Sequence, residues 1–320
     1  MEVFTLRKKN KLLLCLLLLF SSIFIQPAIH QPVSAIELTD VDYGLFCIWN
    51  DTDKPEFLQR VAEGKFDVLL PKIGSWNADN TLNLVQSSEI NDFISKMKNV
   101  NPNVKVIAWF SSILDVMPDL STLELRQKCV DEVVRLVNYA DWDGVLDDTE
   151  VYIGTETNQF HYFTSCASVI EGLGVVYYPW MGYKNLPYVN SQRAAVGAYD
   201  DHSFFEEEWK SALDVSQETA DVAFSWYLIV DRYSDKPTLS QQLEFLGEKI
   251  AERGVDYYSK MDILGLYYYK SIAEDDWDVW TNWIAQDLNP APLSPGFVFP
   301  LESVLAGIAA IAIFLLLRKK

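Results

Sequence analysis

The strongest constraint on this chain is a rhythm. Eight short runs rich in β-branched and aromatic residues, at 43–49, 66–70, 104–110, 142–146, 174–178, 194–199, 222–230 and 263–269, recur with helical segments between them. Their near-continuous apolar character predicts strands buried on both faces, as in a parallel sheet covered by helices. The helices carry their own signals. Ser121 with Glu124 reads as a capping box ahead of an apolar face built by Val130, Val133, Val134, Val137 and Ala140. A later helix over 239–253 puts Leu239, Leu243, Leu246 and Ile250 on one face and stops at Gly254. Trp277, Trp280 and Trp283 recur at helical spacing and read as a last helix packed on the sheet. Eight strand–helix alternations in about 250 residues are what a (β/α)8 TIM barrel requires. The helix after the fifth run is short or missing, around 186–192. A doubly wound α/β sheet is the alternative, but Gly44 stands alone where a glycine-rich phosphate loop would follow the first strand.

The two ends read differently from the middle. Arg7, Lys8, Lys9 and Lys11 precede an apolar-to-small run from Leu12 to Ile25, and Val33-Ser34-Ala35 offers a cleavage point, so 1–35 is predicted to be a secretory signal. An uncleaved anchor would need a longer apolar run. Leu14 is too bulky before Cys15 for a lipoprotein site. The barrel is assigned to 36–288. A Pro-rich linker at 289–296 leads to 297–317, which is apolar apart from Pro300, Glu302 and Ser303 and long enough to span a membrane. The basic end, 318–320, sets the C-terminus in the cytoplasm and the barrel at the extracellular cell surface, tethered by one transmembrane helix. Pro295-Gly296-Phe297, the apolar helix and the basic end together resemble archaeal PGF-CTERM surface-sorting tails. That resemblance implies a sorting or processing enzyme as partner; an ordinary anchor helix has the same physics.

Charge and composition exclude several classes of function. Acidic residues outnumber basic ones by 45 to 26 for a net charge of −19, and seven of the basic residues lie at the two ends. So acidic a domain repels phosphate backbones, which argues against nucleic acid and leaves neutral sugars, cationic ligands or a salty exterior compatible. Cys47, Cys129 and Cys166 are an odd set without close spacing, so at most one disulfide and no zinc pattern is expected. Only His161 and His202 follow the signal, and neither a metal nor a cofactor is predicted. No G-x-S-x-G, P-loop or H-E-x-x-H occurs. Asn50-Asp51-Thr52 is a glycosylation sequon on a predicted strand-end loop.

The candidate chemistry is concentrated in Asp143-Gly144-Val145-Leu146-Asp147-Asp148-Thr149-Glu150. In a barrel, functional groups gather at the C-terminal ends of the strands. Two-residue alternation puts Leu146, Asp148 and Glu150 on one side, facing the mouth, and turns Asp147 outward. Carboxylates this close discourage each other's ionisation, so one can keep a proton and act as a general acid. The alternative is a solvated acidic loop capping the next helix, with Asp147 or Asp148 as a turn residue. Trp49, Trp76, Trp109, Trp180, Trp226 and Tyr267 all fall near predicted strand ends, where flat rings offer platforms to sugar faces or, alternatively, pack the core or a lid. His202, after Asp200 and Asp201, is a ligand contact or a structural residue.

At this point the chain resembles a known family. Lys105-Val106-Ile107, Glu124 to Lys128, Val133-Val134 and Asp143 to Glu150 resemble strands three and four of glycoside hydrolase family 18, the chitinase-like barrels. On that family's D-G-x-D-x-D-x-E pattern, Asp143, Gly144, Asp148 and Glu150 match, and Leu146 replaces the first inner acid. Ala198-Tyr199-Asp200 resembles the family's Tyr-Asp site. The resemblance implies a substrate-assisted glycosidase acting on N-acetylglucosamine-containing glycans. Glu150 would protonate the glycosidic oxygen, Asp148 would orient the acetamido group, Tyr199 would bond its oxygen and Asp200 would help to hold the sugar. Leu146, and Trp109-Phe110-Ser111-Ser112 in place of a Ser-x-Gly-Gly turn, depart from the pattern. These departures keep two other readings open: a non-catalytic carbohydrate-binding or cell-surface interaction protein, and a glycosidase using a conventional carboxylate pair.

Overall fold

The computed structural model describes residues 41–112, 116–197, 213–214, 216–218, 223–229, 238–254, 259–267 and 269–286. The expected signal, linker, apolar tail and basic end lie outside them, as do Tyr199, Asp200 and His202. Among the described residues no helix is long and apolar enough to cross a membrane.

The strands are β1 (Asp42–Ile48), β2 (Val68–Trp76), β3 (Leu82–Leu84), β4 (Lys105–Ser111), β5 (Gly144–Asp148), β6 (Val176–Gly182), β7 (Arg193–Gly197), β8 (Ala223–Ile229) and β9 (Met261–Tyr267). All but β3 pair in parallel, and β1 pairs with both β2 and β9, so the sheet closes into the expected eight-stranded barrel. Around it lie α1 (Pro55–Glu63), α2 (Ser87–Val100), α3 (Leu123–Val137), α4 (Glu156–Gly172), α5 (Leu239–Arg253) and α6 (Glu274–Gln286). Between β6 and β7 the chain makes only a short 3-10 segment, Tyr183–Tyr188, which contains Pro187; a short or missing helix was expected there.

Strand alternation divides the apolar residues into two cores. One lies between sheet and helices; the other fills the barrel lumen with Phe46, Ile107, Trp109, Leu146, Trp180 and Tyr227 among others. Phe46 is the hub of the lumen, its ring edge-on to Tyr227 at 4.6 Å, Trp109 at 4.9 Å and Tyr267 at 5.0 Å. Trp180 stacks on Tyr227. Gly265 makes room for that stack, since a β-carbon there would sit 2.6 Å from the Tyr227 ring. In the outer core the Trp280 indole of α6 stacks on Phe66 and donates to the Gly64 carbonyl at 3.1 Å.

Three details depart from the sequence expectation. The cap of α3 is Thr122, whose hydroxyl accepts from Leu125 N; Ser121 N is instead taken by Asp119 Oδ1, so the expected Ser121/Glu124 box does not form. β2 continues well past residue 70, through Pro71, to a bulge between Lys72 and Gly74 that absorbs the irregularity. β3 was not foreseen, and it folds back on β2 across a turn in which Asn80 takes φ 63°. Helix α5, by contrast, has the expected bounds, with a Thr238/Gln241 capping box and Gly254 at φ 89° after its end.

A second bulge shapes the barrel floor. The β8–β9 register slips so that Asp262 is an extra residue, and its carboxylate receives Tyr178 Oη at 3.0 Å and Arg193 Nε at 2.9 Å. Burial raises the Asp262 pKa to about 6 even so.

Candidate active site

β5 delivers the acidic segment to the end of the barrel that carries the strands' C-termini. Leu146 is fully buried in the lumen, Asp148 is half-buried at its mouth and Glu150 is exposed just beyond. The alternating residues, Asp147 and Thr149, are fully buried on the opposite side, in the layer under the helices. Asp147 thus faces outward from the lumen, as alternation predicts, but it meets protein and not water. Its carboxylate accepts the hydroxyls of Tyr162 and Tyr177, each at 2.7 Å, and of Thr149. Thr149 in turn accepts the Trp76 indole N–H at 2.8 Å, and its carbonyl takes Gln159 Nε2 at 2.7 Å. The segment is therefore pinned from behind on both sides of Asp148, so a solvated acidic loop is not what forms.

The loop is also held from the side. Ser112 N donates to the Asp148 carbonyl at 3.0 Å, and Ser112 Oγ accepts Val151 N at 2.9 Å, one residue beyond Glu150. Farther along, Leu120 and Ile153 join the loops after β4 and β5 through a 2.7 Å backbone bond. Such tethering fixes where Glu150 leaves the sheet.

Asp148 accepts the Trp109 indole N–H at 3.0 Å, and Lys72 Nζ lies 5.0 Å above the centre of the same ring. Burial first, and then the nearby Glu150 charge, push the Asp148 carboxyl well above the usual carboxylate range, while the Trp109 N–H and Lys72 oppose the shift. The acid pair consequently holds a proton more readily than two isolated carboxylates would. Removing the indole donor by Trp109→Phe is expected to raise the Asp148 pKa further, because that bond favours the charged form; a carbon-13 carboxyl titration by NMR checks it, and an unchanged or lowered pKa contradicts it.

The aromatic residues expected on the rim separate into three groups. Trp76 and Trp226 are buried under the helices, Trp76 as the Thr149 donor and Trp226 edge-on to Phe224, because both occupy outward-facing positions of their strands. Trp109 and Trp180 face the lumen but are almost fully buried in its packing. Trp49, just after β1, and Tyr267, at the end of β9, remain half-buried and partly open to a ligand. Tyr199 and Asp200 lie outside the described residues. Cys47, Cys129 and Cys166 are buried and unbonded.

Sequence reasoning missed Lys72 and Ser111. Ser75 on β2, Ser111 on β4 and Asp148 on β5 are neighbours at one level of the barrel, and Lys72, Trp109 and Leu146 form a matching row below. Ser111 Oγ is buried with no hydrogen-bond partner among the described residues. A polar atom left so at a barrel mouth is a ready contact for a ligand. Lys72 lies past the apolar run at 66–70, in the part of the strand that the sequence reading did not include.

A closed parallel barrel with an Asp and a Glu at the end of one strand defines a TIM barrel with its acid pair on the face where such barrels do chemistry. No family model and no curated protein matches the sequence. Solved structures do. The chitinase of Chromobacterium violaceum ATCC 12472 is similar with a TM-score of 0.55 at 11% identity, over 78% of this chain and 99% of that one. The family GH18 chitinase of Cycas revoluta, solved with allosamidin, gives 0.54 at 12%, over 77% and 99%. The spore cortex-lytic enzyme of Bacillus cereus gives 0.52 at 6%, over 77% and 74%. At such identities the likeness is one of fold alone, the closed (β/α)8 barrel that these structures share.

Proposed function

We propose that this chain is a chitinase-like glycoside hydrolase that cleaves glycans containing N-acetylglucosamine. The observation that carries the reading is the Asp148–Glu150 pair: a half-buried carboxyl of raised proton affinity, fixed on the Trp109 N–H, beside an exposed carboxyl at the barrel mouth. In this reading Glu150 gives its proton to the glycosidic oxygen as the bond to the anomeric carbon breaks. The sugar's own acetamido oxygen forms the new bond to that carbon, with Asp148 turning and polarising the acetamido group. Water then opens the intermediate and returns a proton to Glu150. Tyr199 and Asp200 would contact the sugar as the family resemblance implies, and Trp49 and Tyr267 would offer it ring faces. The secretory signal and C-terminal helix read in the sequence would hold the barrel on the outside of the cell.

Leu146 favours a second reading. Its side chain fills the lumen where the family pattern has an acid, so the barrel would bind glycan without turning it over. One comparison separates the readings. A chromogenic β-chitobioside is expected to be cleaved roughly 100-fold or more faster, in kcat/KM, than the matched cellobioside, which has a hydroxyl in place of the acetamido group and so loses the intramolecular nucleophile. Equal rates would point to a conventional carboxylate pair. Binding of both without cleavage would leave the glycan-binding reading.

A further inference from the structure

Two strands round the barrel from the acid pair, the ends of β1 and β2, the β2–β3 hairpin and the start of α2 enclose an open pocket of about 460 Å³, within the range of small-ligand sites. Trp49, Lys72, Ser75, Asn83, Gln86 and Glu89 are among its lining residues. Two rows of neighbouring residues connect it to the acids: Ser75, Ser111 and Asp148 at one level, and Lys72, Trp109 and Leu146 below.

Lys72 is the unusual member. It is a half-buried cation in a row of lumen residues, at the bulge of β2, with its ammonium over the Trp109 ring. Its Nζ has no hydrogen bond or ion pair among the described residues. Near the same end of the barrel Lys54 and Lys270 both lie against Asp51, while Lys184, which like Lys72 meets only a ring, is exposed to water. Taking an ammonium partly out of water is unfavourable unless an anion or an acceptor meets it. The ring face and the more distant Asp148 charge answer only part of that need, and the donors of the ammonium remain available to a ligand. Glu89, which also lines the pocket, sets a limit, because it disfavours a densely charged anion.

We propose that the pocket is a sugar subsite selective for a unit bearing one carboxylate substituent, which Lys72 recognises next to the bond that Glu150 cleaves. The inference rests on the glycosidase reading for the position of the cleaved bond, but its selectivity is a matter of binding and is tested apart from turnover. Calorimetry on the full chain would compare a neutral N-acetylglucosamine tetramer with a tetramer of equal length whose alternate units carry an O-linked lactyl carboxylate. The acidic tetramer is expected to bind about 10-fold more tightly at low salt, with the difference shrinking as salt is added. Lys72→Met is expected to abolish that preference and Lys72→Arg to keep it. Equal affinities in the wild type, a preference that survives Lys72→Met, or no binding of either tetramer would overturn the inference. So would equal affinities accompanied by a rise of the Asp148 pKa in Lys72→Met, which would make Lys72 only a counter-charge. Selective binding of the acidic tetramer without cleavage of either would uphold the subsite and remove the hydrolase reading alone.

Discussion

Replacing Asp147 by Ala is expected to lower the unfolding free energy by about 3–5 kcal/mol, the range for stripping a buried charged acceptor from several donors at once. Three hydroxyls converge on this carboxylate, from Thr149, Tyr162 and Tyr177, and all three residues are fully buried. Without it they lose the acceptor they share. Asp147→Asn should be milder, since the amide oxygen can still take the two tyrosine hydroxyls. The two variants also differ in their pH dependence. Burial raises the Asp147 pKa from 3.8 to about 6, so between those values the folded chain holds the proton more tightly than the unfolded chain does. The contribution of this group is therefore full at acid pH and is lost as pH rises through about 6, by on the order of 3 kcal/mol. Asp147→Asn removes that slope. Because Asp262 is raised to about the same value, the readout is the difference between wild type and variant in chemical denaturation from pH 4 to 7. A difference that does not change with pH would contradict the assignment.

The barrel was legible because its evidence is distributed. Eight apolar runs and the helix signals between them state one periodicity many times, and no single misjudged boundary overturns it. Alternation likewise placed Leu146, Asp148 and Glu150 on one face. What the sequence hid depended on contacts between distant segments. Asp147 looks like a solvent-facing neighbour in the run Asp147-Asp148, and only the tyrosines of α4 and β6 make it a buried acceptor. Trp76 and Trp226 fall near strand ends, as sugar platforms would, yet strand phase turns them under the helices; the bulge after Lys72 makes that phase hard to count in β2. The apolar run at 66–70 stops short of the second half of the strand that carries Lys72. Short-range signals misled in the same way at Ser121, where the cap moved one residue because Asp119 had already taken the Ser121 N–H.

The largest effect on chemistry is expected at Glu150. Glu150→Gln keeps the shape and the exposed position but removes the transferable proton, and loss of a general acid typically lowers the rate by about 10²–10⁴-fold. The loss should fall on kcat, with KM little changed, because the proton is transferred only as the glycosidic bond breaks. Stability should hardly move, since Glu150 is exposed and the loop is held by Ser112, Thr149 and Ile153 around it. Asp148→Asn, in contrast, should disturb both the Trp109 contact and the proton shared by the pair. The most direct measurement is thus the initial rate of chitobioside hydrolysis by the wild type and by Glu150→Gln, at equal concentration and with folding verified for both. The account predicts steady release by the wild type and a rate at least about 100-fold lower in the variant; no release by the folded wild type, or equal release by both, would contradict it.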